Sequence, residues 1–583
     1  MSTSPPPPRV CLLSLPSELR RLIYHFYFKL EGGYVFNRED PYNGKLATAD
    51  GQPIDLSLMY VCRLIAAEAK DLPLQLNHVS FSTAHHQDWS RLAGRFEYLS
   101  ILHSKIEADL VRHLNRGASP EIPETRSQIL LKFPHFLVFF QGAEAWTGDA
   151  PLSISSRVPE TALKELSPHN GRGILIGDYG LRRPFWGGWH HDDRLHSTFQ
   201  QAVTYALDLF SQKDPARFKE LVDVALGCFE PHEFNGLRLD PWAIPSPDEL
   251  ARIGRKLEDE EVWEALQRWR YPLDEETVVR NYGRHPTWLR DSEKRRYQSN
   301  NVCFREAFHF SAAAVAIRFL GRLSPAQRLN LRHIVLHEDH VSVGQPECHA
   351  VGLIPFCKGN PRLRVERYVG LWRNILHDMQ PLWLDAMPEV VNDLIKGERR
   401  CYLGHQNMAR VLGSWFGEAL AVMDAGMPAG SFTLILDGNP AINLSSEIFQ
   451  NVIQRNVATE RAFGRCFNTH LGNAREHRHV GSWAGKHLLL GMDHLNNQAS
   501  VIRCNFNIGP PWDVDKIVEE RQQWPVEQWQ NKYRGADVYE CNGGHCTLAP
   551  PLPTWSSIQL DLFEQKVVPK PTETNDREDS VRS

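Results

Sequence analysis

LLSLPSELRRLIYHFYFKL, residues 12–30, is the stretch from which the rest of the chain is read. Leu15-Pro16-Ser17-Glu18-Leu19 has the composition of a helix start. Pro16 suits the first turn, where a missing N–H costs nothing. Glu18 places a carboxylate at the positive end of the helix dipole. Leu19, Leu22, Ile23, Phe26 and Leu30 recur at the offsets of one apolar helix face, with Arg20, Arg21 and Lys29 off it. The pattern predicts an amphipathic first helix with that stripe as its apolar side.

Working outward, Glu31–Gln52 is polar and rich in turn chemistry, with Gly32-Gly33, Asn43-Gly44 and Asp50-Gly51. It reads as a short hairpin around Tyr34-Val35-Phe36 or as a long loop. Asp55 then caps a second expected helix, Leu56–Lys70, whose Leu58, Val61, Cys62, Ile65 and Ala69 repeat the first helix's spacing. Val79 and Phe81 alternate as in a short strand.

These residues also carry a resemblance. Leu15-Pro16-Ser17-Glu18-Leu19, Ile23-Tyr24, Val61-Cys62-Arg63-Leu64-Ile65-Ala66-Ala67-Glu68-Ala69 and Asn77-His78-Val79-Ser80-Phe81 together resemble the N-terminal module of fungal F-box-like proteins. Leu331-Arg332-His333-Ile334-Val335-Leu336-His337-Glu338-Asp339 and Pro361–Arg367 are similar to a second block of that filamentous-fungal group. The resemblance implies a helical module over residues 11–85 that docks on a Skp-type adaptor of a cullin-RING ubiquitin ligase. It implies adaptor contacts at Leu15, Pro16, Leu19, Leu22 and Ile23. The long Glu31–Gln52 insertion and the lack of an evident third helix depart from that pattern.

Composition sets the outer limits. A chain of 583 residues is long for one core, about three to four domains by length alone. Hydrophobic content of 42% and charged content of 23% are those of a folded protein. A net charge of −5 gives no electrostatic case for nucleic acid or an anionic membrane. No apolar run reaches the ~18 residues of a membrane span. Eleven scattered cysteines, an odd number, and no export signal lead us to expect reduced thiols in a cytoplasmic or nuclear protein.

Beyond the module we expect a large, mainly helical domain over 86–567, with an internal linker near 147–184, flanked by a disordered lead at 1–10 and tail at 568–583. Helices are predicted at Gln87–Arg116, Leu195–Phe210, Arg305–Leu320, Gln406–Asp424 and Ser445–Phe463. Ser246-Pro247-Asp248-Glu249 and Ser324-Pro325-Ala326-Gln327 have capping-box spacing. Strand-like runs near 334, 366, 434 and 503 predict one small sheet. Their uneven intervals argue against a leucine-rich repeat. The expected class is mainly α (α+β).

Catalytic signatures are missing. There is no Gly-x-Ser-x-Gly, His-Glu-x-x-His or kinase loop, and Gly481–His487 lacks the hydroxyl of a phosphate loop. We therefore expect no enzyme, cofactor or resident metal. Two places are dense in ligand-type side chains. His190-His191-Asp192-Asp193 with His196 puts Asp192 and His196 on one helical face, a metal-enzyme alternative. Cys348, His349 and Cys357 would make a zinc site only by converging with Cys541, His545 and Cys546. The other alternative is structural, with the F-box-like helices buried inside one globule.

Overall fold

The computed structural model describes residues 11–36, 44–115, 121–137, 139–141, 195–226, 230–257, 269, 302–376, 405–470, 485–497, 500–525, 528–529 and 555–567. Nine strands are described: β1 (Tyr34–Phe36), β2 (Leu46–Thr48), β3 (Val79–Ser82), β4 (Val302–Glu306), β5 (His333–Glu338), β6 (Arg364–Gly370), β7 (Phe432–Asp437), β8 (Ile502–Cys504) and β9 (Phe563–Val567). Seven form one sheet in the order β2-β1-β3-β5-β6-β7-β8, and β4 pairs with β9. Helices dominate, as expected. The sheet is larger than the small one predicted, because strands far apart in sequence pair side by side.

Within the large sheet only β1–β2 is antiparallel; β1-β3-β5-β6-β7-β8 all run parallel. The parallel strands are stacked in chain order. Right-handed crossovers that always step the same way return their helices to the same face. Burial follows that geometry. Val365, Val369, Phe432, Leu434 and Leu436 lie buried in the main core, with Leu412 and Trp415 of the His405–Asp424 helix. Glu366, Tyr368, Thr433, Ile435 and Asp437 alternate onto the opposite face and stay half-exposed. A parallel sheet is ordinarily covered on both faces; among the described elements this one is covered on one.

One buried ion pair pins the sheet to a helix. Glu338 accepts from Arg367 Nε at 2.9 Å and Nη2 at 2.7 Å. It also accepts from the first two amides of the Ala312–Arg322 helix, Ala312 and Ala313, at 2.9 and 3.2 Å. The guanidinium gives a further bond to the Pro346 carbonyl at 2.6 Å and stands 4.8 Å from the Trp415 ring centre. Each charge thus has several partners, as burial at 1% exposure requires.

The N-terminal helices keep a core of their own. α1 (Ser17–Phe28), α2 (Arg63–Ala69) and α3 (Leu72–Leu76) bury Tyr24, Phe28, Ile65 and Ala69 against Leu12, Leu58, Met59 and Leu72. Asn77 joins this unit to the sheet. Its amide donates to the carbonyls of Phe28 and Pro73 at 2.7 and 2.9 Å, and its oxygen accepts from Leu30 N at 2.8 Å. The Glu31–Gln52 stretch supplies the β1–β2 hairpin, so residues preceding 85 add three strands to the common sheet. Gly33, at φ 63°, is required where β1 begins. A Cβ there would meet the His78 carbonyl at 2.6 Å.

Two expected helices are corrected. Arg305 lies in β4, and its helix begins only at Ala312, capped by the Ser311 hydroxyl. Asp55 caps the Ser57–Tyr60 turn through Ser57 N at 2.8 Å, and α2 starts later, at Arg63. The linker expected at 147–184, the lead at 1–10 and the tail at 568–583 lie outside the described residues.

Candidate functional site

The five residues singled out at and just before α1 are neither scattered nor sealed. Pro16, Leu19, Leu22 and Ile23 are exposed and Leu15 is half-buried. Leu22 is 52% exposed, and Phe26, one turn on, 74%. The expected polarity of the helix is therefore reversed: the predicted apolar stripe faces out, and Arg20, Tyr24 and Phe28 face in. The sequence has two apolar faces at four-residue spacing, and the aromatic one is the one filled.

A polar clamp fixes that choice. Arg20 donates through Nε to Glu68 Oε2 at 3.0 Å and through Nη2 to Oε1 at 2.5 Å. The Tyr24 hydroxyl donates to the same carboxylate at 2.9 Å, and Arg20 Nη1 to the Leu15 carbonyl at 2.6 Å. The bonds from Arg20 hold the Glu68 carboxyl below its ordinary range. A second tie links the Tyr27 hydroxyl to Asp55 at 2.5 Å. Hydrogen bonds from Ser57 and Tyr27 bring the Asp55 carboxyl down to about 2.

With α1 rotated this way, the neighbouring turn and α2 add Tyr60, Val61 and Leu64 to the exposed apolar set, Tyr60 at 82%. Isolated exposed leucines need no explanation; several large apolar side chains exposed on one small unit make it a candidate for binding. The clamp residues were missed from sequence. Arg20 and Glu68 are ordinary surface residues by spacing, and nothing local says that they meet.

A second place is a cavity of about 300 Å³ where β3 and β5 end, lined by Thr83, His85, His309, His340, Asp561 and Glu564. Carboxyl ends of parallel strands are where such sheets bind ligands. Here the His85 and His309 rings lie 4.8 Å apart, and His309 and His340 stack at 5.0 Å and 9°. Near-parallel imidazoles set their nitrogens side by side instead of aiming them at one point. The carboxylates are engaged: Glu564 by Arg305, Asp561 by Arg373 at 2.9 Å. Among the described residues no group of three or more His, Cys, Asp or Glu is arranged to hold a metal.

The remaining expected chemistry resolves into structure or falls outside view. Ser311 Oγ sits 2.6 Å from His349 Nδ1, but His349 Nε2 meets the Gly344 carbonyl at 2.7 Å, not a carboxylate. Both residues are fully buried, which leaves no approach for a substrate. Burial keeps His349 neutral, with its pKa pulled down to about 3. Cys348 and Cys357 are buried free thiols, Cys357 pushed up to about 11 by desolvation. His196 is lowered to about 4 by burial. His190–Asp193, Cys541, His545 and Cys546 lie outside the described residues. No described helix is long and apolar enough to cross a membrane. Comparison with protein-family models, curated proteins and solved structures returned no match to this chain.

Proposed function

We propose that this chain is a non-enzymatic interaction protein whose N-terminal helices receive a helix of another protein. Its partner on the F-box-like reading is a Skp-type adaptor of a cullin-RING ubiquitin ligase, with the large body left to hold a target. The observation that carries the proposal is the orientation of α1: Leu19, Leu22, Ile23 and Phe26 are exposed, while Tyr24 and Phe28 anchor the helix. A helix laid across that face would remove a continuous i, i+3, i+4, i+7 apolar set from water. The structural alternative needs Leu15, Leu19 and Ile23 buried together, and Leu19 and Ile23 are exposed.

The test uses the purified full chain and a purified Skp-type adaptor in a pull-down. Wild type is expected to retain the adaptor. Leu22→Asp with Phe26→Asp, both on the outer face, is expected to lose it. Failure of wild type to retain the adaptor overturns the ligase reading.

A further inference from the structure

The first turn of the His196–Lys213 helix is held by two buried acids, each from a different helix. Leu195, the residue before it, has no side-chain oxygen to cap its free amides. Glu418, on the His405–Asp424 helix, takes that place across 221 residues of chain. Its Oε1 accepts from Ser197 N at 3.0 Å and its Oε2 from Ser197 Oγ at 2.5 Å. Gly417 permits the approach, because a Cβ there would collide with Leu195. Three residues on, Gln200 Nε2 donates to Glu107 of the Gln87–Asn115 helix. Phe199, between the two ties in sequence, is buried with Ala202 and Val203.

Neither acid is paired with a lysine or arginine among the described residues. Glu418 is 2% exposed, and its donors, Ser197 and the His196 amide, are neutral. The titratable and charged groups around it are Glu347, Cys348 and His349 of the Pro346–Leu353 turn, His196, Arg367 of β6 and His487 of the Gly485–Asn496 helix. Arg367 is the permanent cation of these six, and Glu338 holds it at 2.7 Å. Burial keeps His196 and His349 neutral. A buried carboxyl with neutral donors and a second acid nearby favours its proton. Desolvation accordingly raises Glu418 to about 7, against the bonds from Ser197, and the charge of Glu347 adds to the rise. Desolvation raises Glu107 as well, against His103, whose Nδ1 lies 3.4 Å away, and Gln200. Arg238 and Asp208 act on Glu107 with opposite sign.

We propose that this first turn is a proton-operated latch: protonated Glu418 and Glu107 hold the helix against the His405–Asp424 and Gln87–Asn115 helices, and loss of their protons loosens it. A carboxylate formed in place is poorly solvated, and opening of the turn returns it to water. A carboxyl whose folded pKa is raised contributes fully below its ordinary value of 4.5 and loses that contribution as pH rises through about 7. Glu68 in the N-terminal unit titrates in the opposite sense, so the two regions respond to pH with opposite sign. The latch is separate from adaptor capture at α1 and does not rest on it.

The experiment is hydrogen exchange of the full chain from about pH 5.5 to about pH 8, with protection taken relative to intrinsic exchange at each pH. In wild type, protection of residues 199–206 is expected to fall about tenfold over that range, while β5–β7 hold theirs. Glu418→Gln, which keeps the shape of the protonated acid, should remove most of the fall, and adding Glu107→Gln the rest. Glu124→Gln, an exposed acid beside Lys213 at the far end of the same helix, should leave the fall as in wild type. Infrared difference spectra of wild type need no variant: a protonated-carboxyl band present at about pH 6 is expected to vanish by about pH 8. A flat wild-type profile, an undiminished fall in Glu418→Gln, or no protonated carboxyl at about pH 6 would each overturn the proposal.

Discussion

The N-terminal helices and the sheet-bearing body solve the same problem with different completeness. The Ala312–Arg322 helix buries Ala312, Ala313, Ala314, Val315, Ala316 and Leu320 against β3 and β5. α1 is as long by about one residue and buries only Tyr24 and Phe28. Most of the body's buried apolar residues join one core that includes strands from β1 to β8, with a smaller cluster around Phe463 and Trp529, and the helical unit's four buried side chains form another cluster apart. A helix with two apolar faces and a small core behind one of them has the other to offer. The difference separates residues that hold the fold from residues that are free to bind.

The comparison can be broken by mutation, and the body should respond most. Arg367→Met leaves the Glu338 carboxylate buried without its cation and is expected to cost about 3–5 kcal/mol in urea unfolding. The double change Arg367→Met with Glu338→Gln should cost clearly less. Ile65→Ala opens the small core and should cost about 2–4 kcal/mol. Hydrogen exchange should place that loss in α1–α3 and leave β5–β7 protected. Equal loss in both regions would merge the two cores into one.

Smaller effects sharpen the contrast. Because Glu68 has a depressed folded pKa, its contribution is complete above the unfolded carboxylate pKa and is lost as pH falls through the folded one. The protection factors of α1, taken relative to intrinsic exchange at each pH, should therefore fall on acidification below about pH 4, while those of Glu68→Gln are already low at pH 7 and change little. The smallest effect on stability belongs to the outer face. Leu22→Asp with Phe26→Asp should change the free energy of unfolding by no more than about 0.5 kcal/mol, since both side chains are already largely in water.

Much of this was legible in the residues, and what was not has physical causes. Pro16 and Glu18 announce α1, and Ser324 with Gln327 closes the capping box that its spacing predicts. Alternation at Val365–Val369 and Phe432–Leu436 marks β6 and β7. Which face of α1 is buried was not legible. Periodicity ranks faces by apolar count, and here Arg20 reaches Glu68, 48 residues away, to turn the helix. The sheet's extent was hidden for the same reason. β3 pairs with β5 across about 250 residues, and β4 finds its partner only near the chain's end.

The central claim is that the outer face of α1 is open to a partner helix. Hydrogen exchange of the full chain with and without a Skp-type adaptor tests it most directly. The account predicts new protection at residues 17–28 and 57–69 alone, with β5–β8 unchanged. Binding that protects the sheet and leaves α1 as it was would contradict it.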